Sequence, residues 1–390
     1  VGVSGVISEM ISLPKFISFW KMRASFAEVG GPINYTGLTP GTVTDPMKGG
    51  VINPISVYPF PNFKAEQTKS YELGTNLRLF NNKINIDATV YLTDTYNQTF
   101  LSSMSPASGY SGFYVQAGKV RNKGIELSLG YNDRFGKVGY ATNLTYTANR
   151  NKIMKMVHDY KNPSDGSLFS ITELTLQDKG GVYLREKDAI GDVYVKGILA
   201  RGKDGKLIEE EGGYKVDRSQ RIKIGSVNPD FSIGWRHNVT WNNITLDLLF
   251  NGRFGGIVTS STQAFLDDYG VSKDTYKARQ NGGVWVNGTQ YDAEKYYTTI
   301  GGEQLMAYYA YKATNIRLQE ASLSYTLPGK WFGNVINRLT VSAIGRNLWM
   351  IYNKAPFDPE MTSSTGTYNR GDVFMPPSLR SVGFSVKIEL

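Results

Sequence analysis

Cysteine is absent from the chain, which removes a disulfide framework and any thiolate metal site. A chain without thiols also suits an oxidising envelope compartment. Histidine is nearly absent, and His158 and His237 stand in no metal-binding spacing such as His-Glu-x-x-His. No Gly-x-Ser-x-Gly nucleophile elbow occurs. No apolar run reaches the length of a membrane-crossing helix, and mean hydropathy is −0.31. That excludes helical membrane proteins only, since a membrane barrel places its apolar residues on alternate positions and averages as polar. The chain also lacks an initiator Met and a signal peptide, which marks a processed chain or a fragment. With no Pro- or Ser-rich linker and no fixed-period repeat, residues 1–390 read as one unit.

What is present is strand chemistry. Gly 42 and Tyr 25 are both high, as strands with tight turns and aromatic interfaces require. The net charge of +9 is spread along the chain rather than gathered in a basic arm. It fits a charged lumen and rims, or an ordinary solvated surface, and is no nucleic-acid footprint.

Ten stretches alternate apolar and polar residues: 16–28, 68–80, 83–97, 119–131, 138–150, 230–241, 244–255, 314–327, 338–350 and the carboxyl end. In the third, Ile84, Ile86, Ala88, Val90 and Leu92 share one face, and Asn85, Asp87, Thr89, Tyr91 and Thr93 the other. His237 falls on an apolar face, so it lies near a rim or the register there is shifted by one. Tight turns at Asn81-Asn82, within 132–136, at Asn242-Asn243 and within 328–337 alternate with long connections. The Asn pairs tolerate the positive φ of a two-residue hairpin. Collecting every long connection at one end has little purpose in a soluble sandwich. An outer-membrane barrel has that asymmetry, with turns toward the periplasm and loops outside. The predicted fold is therefore all-β, an antiparallel transmembrane β-barrel. The segments 30–67, 151–229 and 256–313 are too long for bare loops and should carry hairpins or short helices.

Candidate sites lie in the loops and at the rims. Tyr269, Tyr276, Tyr291, Tyr296, Tyr297, Tyr308, Tyr309 and Tyr311 crowd the loop segments. A tyrosine stacks well on sugars or peptides, and equally well packs one loop on another. Tyr296, Tyr297, Tyr308 and Tyr309, with Tyr368, Arg370 and Asp372 of the last outward loop, are the substrate or partner candidates. Trp20, Trp235, Trp241 and Trp349 lie near strand ends and are candidates for an aromatic girdle, Trp241 best because the turn fixes its depth. Glu209-Glu210-Glu211 and Asp267-Asp268 are adjacent residues that point apart on an extended chain, so they read as solvated loop rather than an acid/base pair. No catalytic set, metal site or cofactor is expected. Lys203-Asp204-Gly205 reads as a hairpin turn, since Asp204 between lysines lacks a calcium ladder.

The ordered motifs resemble a family. Val120-Arg121-Asn122-Lys123-Gly124-Ile125-Glu126-Leu127, then Gly225-Ser226-Val227-Asn228-Pro229-Asp230-Phe231 with Gly234-Trp235, and Phe250-Asn251-Gly252 form its first part. Ile316-Arg317-Leu318, Gly345-Arg346-Asn347-Leu348-Trp349, Asp358-Pro359-Glu360 and Pro376-Pro377-Ser378-Leu379-Arg380 continue it. Together they are similar to the barrel of SusC-like (SusC/RagA) TonB-dependent transporters, the outer-membrane nutrient importers of Bacteroidetes. The resemblance implies a plugged barrel of 22 strands, of which this chain holds the carboxyl-terminal part, without the plug. It implies import of a glycan or peptide fragment with a SusD-like surface lipoprotein as lid and a TonB complex as motor. The missing amino-terminal barrel and plug portion and membrane lipid would be the other partners; nucleic acid would not. Rival readings are a secreted carbohydrate-binding β-sandwich, a glycoside hydrolase, and a siderophore or vitamin receptor on a similar barrel.

Overall fold

The computed structural model describes residues 1–32, 43–44, 52–53, 57–58, 64–103, 105–161, 166–176, 182–333, 335–364 and 371–390. Eleven strands form one sheet: β1 (Gly2–Val6), β2 (Ile17–Gly30), β3 (Gln67–Leu79), β4 (Ile84–Tyr96), β5 (Lys119–Phe135), β6 (Val138–Lys155), β7 (Phe231–Trp241), β8 (Ile244–Phe254), β9 (Asn315–Pro328), β10 (Arg338–Asn353) and β11 (Ser381–Glu389). Each pairs antiparallel with the next in sequence. The sheet is an open arc whose edges, β1 and β11, do not pair with each other.

The ten expected strands are all present, and β1 is an eleventh. Its sequence, Gly-Val-Ser-Gly-Val, is too short and too rich in glycine to register as alternation. β5 and β6 start where expected and run further at their carboxyl ends. Their hairpin closes over Gly136-Lys137 rather than 132–136, because Gly136 at φ 61° supplies the turn in fewer residues. Asn81, Asn82 and Asn242 take positive φ as the turn chemistry requires.

The register carries one apolar face across the sheet. Trp20 opposes Leu77, Leu77 opposes Ile86, Ile86 opposes Leu129, Leu129 opposes Leu144, and Leu144 opposes Trp235. Further on, Leu246 opposes Leu323, Leu323 opposes Ala343, and Ala343 opposes Phe384. This face is uncovered: Trp241 is 54% exposed and Phe384 83%. A soluble sheet would pack such a face against a second layer; here hydrocarbon is the layer that fits. His237 sits on this face in register, its Nδ1 2.9 Å from Tyr140 Oη, with the Trp235 ring 4.3 Å away. An aromatic nest, not a rim or a slipped register, accommodates it.

The opposite face is polar and cross-braced. Arg23 donates to both oxygens of Asp87 at 3.3 and 2.7 Å, and Asn76 donates to the same carboxylate at 3.0 Å. Arg236 and Asn238 reach Asp247 at 3.2 and 2.9 Å, and Arg346 reaches Glu320 at 3.2 Å. A wall that alternates in this way lines a wet lumen.

Short links and long links alternate strictly. The short ones are 7–16 with helix α1 (Ile7–Met10), 80–83, 136–137, 242–243 and 329–337; the long ones are 31–66, 97–118, 156–230, 255–314 and 354–380. As expected, the long segments hold structure of their own. Link 255–314 carries helices α2 (Ser261–Asp268), α3 (Lys273–Gln280) and α4 (Ala293–Gly302), and a hairpin pairing Val284–Val286 with Thr289–Tyr291. Each helix has a side-chain cap: Ser260, Ser272 and Asp292 accept from the backbone N–H of Gln263, Thr275 and Lys295.

Candidate functional site

The loops above the wall form a packed crown around two cores. One gathers Phe100, Val115, Val120, Ile153, Met156 and Leu184 over β5 and β6. The other joins links 156–230 and 255–314 through Leu199, Leu207, Tyr214, Ala264, Tyr291, Ile300, Leu305 and Tyr309. The tyrosines staple this second core. Tyr308 Oη accepts from Leu199 N at 3.0 Å, and Tyr291 Oη accepts from Leu207 N at 3.0 Å. Tyr309, 2% exposed, donates to Asp267 Oδ2 at 3.0 Å. Burial pushes the Tyr309 hydroxyl far up, reinforced by Asp267, and burial raises Tyr296 as well. Tyr297 and Tyr311 are pushed up to about 12, again chiefly by burial. These hydroxyls stay protonated and act as donors at any physiological pH. Asp267 is itself raised by burial, against the hydrogen bonds from Ser272 and Tyr309.

The seven loop candidates therefore divide. Tyr296, Tyr308 and Tyr309 belong to the packed crown, where Tyr296 meets Tyr297 edge-on at 5.4 Å. Tyr297 packs against the same core and also borders an open cavity of about 270 Å³ with Asp268, Tyr269, Arg279 and Glu294. Asp372 is buried; Ser260 Oγ donates to its Oδ2 at 2.6 Å, so that one serine caps α2 and anchors the last loop. Tyr368 and Arg370 lie outside the described residues. Sequence reasoning missed the outward-facing aromatics Trp285 and Phe374, and gave no priority to Tyr269 and Tyr276; all four are more than half exposed. Periodicity does not reveal them, because they sit in irregular loops.

The tryptophan candidates also sort by depth. Trp20 and Trp241 lie at the short-turn end of β2 and β7, and Trp349 lies near the loop end of β10. Trp235 is mid-strand, with its Nε1 donating to Thr142 Oγ1 at 3.0 Å. Unforeseen company at the turn rim comes from Phe16 stacked on Phe80 at 5.9 Å, and from exposed Phe135 and Trp331.

The family motifs converge on two junctions. Asp230 N donates to Phe254 O at 2.7 Å, and Gly255, at φ 77°, lies so close to Asp230 that a Cβ there would meet its Oδ2 at 2.1 Å. At the other junction, Arg317 grips Asp358 through Nη2–Oδ1 at 2.9 Å and Nη1–Oδ2 at 3.3 Å. Ser378 Oγ donates to the same carboxylate at 2.5 Å, Glu360 reaches Arg317 Nη2 at 3.2 Å, and Asn347 Nδ2 donates to Leu379 O at 3.2 Å. Burial pushes the Asp358 carboxyl upward, but the Arg317 guanidinium and Ser378 hydroxyl outweigh it and hold it below the usual range. Four motifs distant in sequence thus form one knot that fixes link 354–380 to the wall.

Asp204 forms the turn expected of it, with its Oδ1 accepting from Lys206 N at 3.1 Å and Gly205 at φ 78°. Among the described residues no group of three or more His, Asp or Glu is gathered as a cation site.

A family model described as "TonB dependent receptor-like, beta-barrel" matches residues 12–177. TonB-dependent receptor P3 of Formosa agariphila is 25% identical over 88% of this chain, and TonB-dependent receptor P39 of the same organism is 22% identical over 93%. The chain spans 36% and 38% of the length of these two relatives. Among solved structures, the RagAB peptide transporter matches 99% of the chain and 42% of its own, at 18% identity and TM-score 0.72. The RagAB peptide importer in its closed-closed state gives 0.74. With the barrel wall, the family model over residues 12–177 and the relatives in agreement, the chain is similar to the TonB-dependent receptors of the bacterial outer membrane, and its fold is that of the RagA (SusC-like) barrel.

Proposed function

We propose that this chain supplies wall and outward loops to a TonB-dependent importer of a large nutrient, a glycan or peptide fragment. A SusD-like lipoprotein closes the crown from outside, and a TonB complex drives transport from within. The likeness to the RagAB peptide transporter over 99% of the chain carries this reading, together with a crown too structured to be mere connection. In this scheme the chain is the carboxyl-terminal part of the barrel, and the plug and remaining wall come from residues beyond it. The residues do no covalent chemistry; they select by shape, aromatic stacking and lumen charge.

Tyr297, Tyr368 and Arg370 are proposed to meet cargo or lid, joined by Tyr269, Tyr276 and Trp285. Tyr296, Tyr308, Tyr309 and Asp372 hold the surface on which those groups stand. Trp20, Trp241 and Trp349 are proposed for the girdle. The test is purification of the native complex from membranes with mass spectrometry of what accompanies it. A surface lipoprotein and bound oligosaccharide or peptide are expected. A preparation that carries neither, while the barrel remains folded, overturns the proposal.

A further inference from the structure

The outward face of the wall changes character sharply where β5 and β6 leave the apolar band. Along β6 the outward residues run Val138, Tyr140, Thr142, Leu144, Tyr146 and Ala148. These span about 34 Å along the strand at about 3.4 Å per residue, and roughly 26 Å in height at a 40° tilt, which is the height of a barrel's apolar band. The next outward residues are Arg150 and Lys152. Along β5 the series Tyr131, Leu129, Leu127, Ile125 gives way to Lys123, Arg121 and Lys119.

The ladder sets these two series against each other. Lys123 opposes Arg150, Arg121 opposes Lys152, and Lys119 opposes Lys155. Three successive cross-strand pairs thus match cation with cation, an arrangement that repels unless an anion intervenes. The acids at hand are few. Asp94 takes Arg121 at 2.7 and 2.8 Å and Lys119 at 2.8 Å, and Asp230 takes Arg150 at 3.2 Å. Lys123, Lys152 and Lys155 are exposed, and among the described residues none has a carboxylate within 4.0 Å. In the same cross-strand row as Lys123, beyond Leu92 and two and three strands away, Tyr71 and Phe26 form an aromatic ledge with ring centroids 5.1 Å apart.

We infer that this patch binds the phosphate-bearing headgroup of an outer-leaflet lipid. Its depth is that of a headgroup, just outside the hydrocarbon and on the long-loop side. Its cations are spaced at strand separation, about 4.8 Å, so one phosphate can bridge Lys123 and Arg150 while a second meets Lys152. A phosphate carries more charge and more acceptor oxygens than a carboxylate, and so relieves more of the repulsion. The ledge of Phe26 and Tyr71 receives the upper part of an acyl chain. The inference requires the apolar face to be the lipid-facing one, but no particular cargo.

The test uses the full-length protein in mixed vesicles containing a phosphorylated lipid or its dephosphorylated counterpart, with retained lipid measured by native mass spectrometry. The wild type should keep the phosphorylated lipid through detergent exchange. Lys123→Gln/Lys152→Gln, which leaves the Asp94 and Asp230 contacts intact, should keep at least about fivefold less. Lys123→Arg/Lys152→Arg should restore retention, and Lys203→Gln/Lys206→Gln, equal in charge but remote, should leave it unchanged. Heat-modifiable gel mobility verifies that each variant is folded. Equal retention by wild type and the Gln variant overturns the inference. So does full displacement of the lipid by inorganic phosphate, which makes the patch a free-anion site. Failure of every variant and of the wild type to enter vesicles would instead refute the membrane reading itself.

Discussion

Replacing Asp358 with Asn should free the last outward link while leaving the wall intact. The Arg317 side chain is 5% exposed and that of Asp358 8%. Removing one partner of such a buried pair costs about 3–5 kcal/mol, because the remaining charge is left without compensation. Here Glu360 stays 3.2 Å from Arg317 and Asn315 Oδ1 still accepts at 3.1 and 3.2 Å, so part of the charge remains covered. The expected loss is therefore about 2–3 kcal/mol, a rise of about 30- to 150-fold in the open population of link 354–380. Hydrogen exchange measures it directly: the amides of Glu360 and Ser363, which donate to Asp358 Oδ1 and Gly371 O, should exchange faster by that factor. Amides of β5 and β6 should not change. Glu303→Gln is the control, since its pair with Arg218 at 2.5 Å is about half exposed and should be worth under about 1 kcal/mol. Exchange within threefold of wild type, or acceleration spread evenly over the wall, would refute the view that this knot is a local clamp.

Three further outcomes follow from the same structure. Gly255→Ala should lower the thermal midpoint of the barrel by the equivalent of about 1–3 kcal/mol, because φ 77° and the Asp230 carboxylate both exclude a Cβ; an unchanged midpoint in a heat-modifiability assay contradicts this. Spin labels at Leu246 and Val386 should relax with lipid-dissolved oxygen and ignore aqueous nickel reagents, while labels at Thr245 and Ser385 should do the reverse. The crown should show opposed pH responses: the raised Asp267 carboxyl costs stability as pH climbs from about 4 through its folded pKa, whereas the lowered Asp358 loses its contribution only as pH falls below about 4. Asp267→Asn should flatten the first limb alone, read by exchange at the Tyr309 and Ser260 amides.

The wall was legible because its code has a period of two and its punctuation is chemical. Ile84 to Leu92 announce a face, and Asn242-Asn243 announce a turn. The crown was not legible in the same way. Whether Tyr309 packs or binds depends on Asp267, Leu305 and Ala264, which come together only after three helices dock. The motif residues Arg317, Asp358 and Ser378 were visible as letters, yet their mutual distance is a property of the folded link and not of spacing. Trp285 and Phe374 lie in irregular backbone that no period reports. Asp372 illustrates the ambiguity most directly: a charged residue in an outward loop reads as solvent-facing until Ser260 is found beside it.

The nearest-neighbour order of the meander has an evolutionary consequence. Every strand bonds only to its predecessor and its successor, so lengthening or exchanging a segment between two of them disturbs no rung of the ladder. The outward links can then be rewritten while the wall beneath them is inherited unaltered. A wall built this way can diverge to 18% identity, as with the RagAB peptide transporter, and still keep its fold at a TM-score of 0.72.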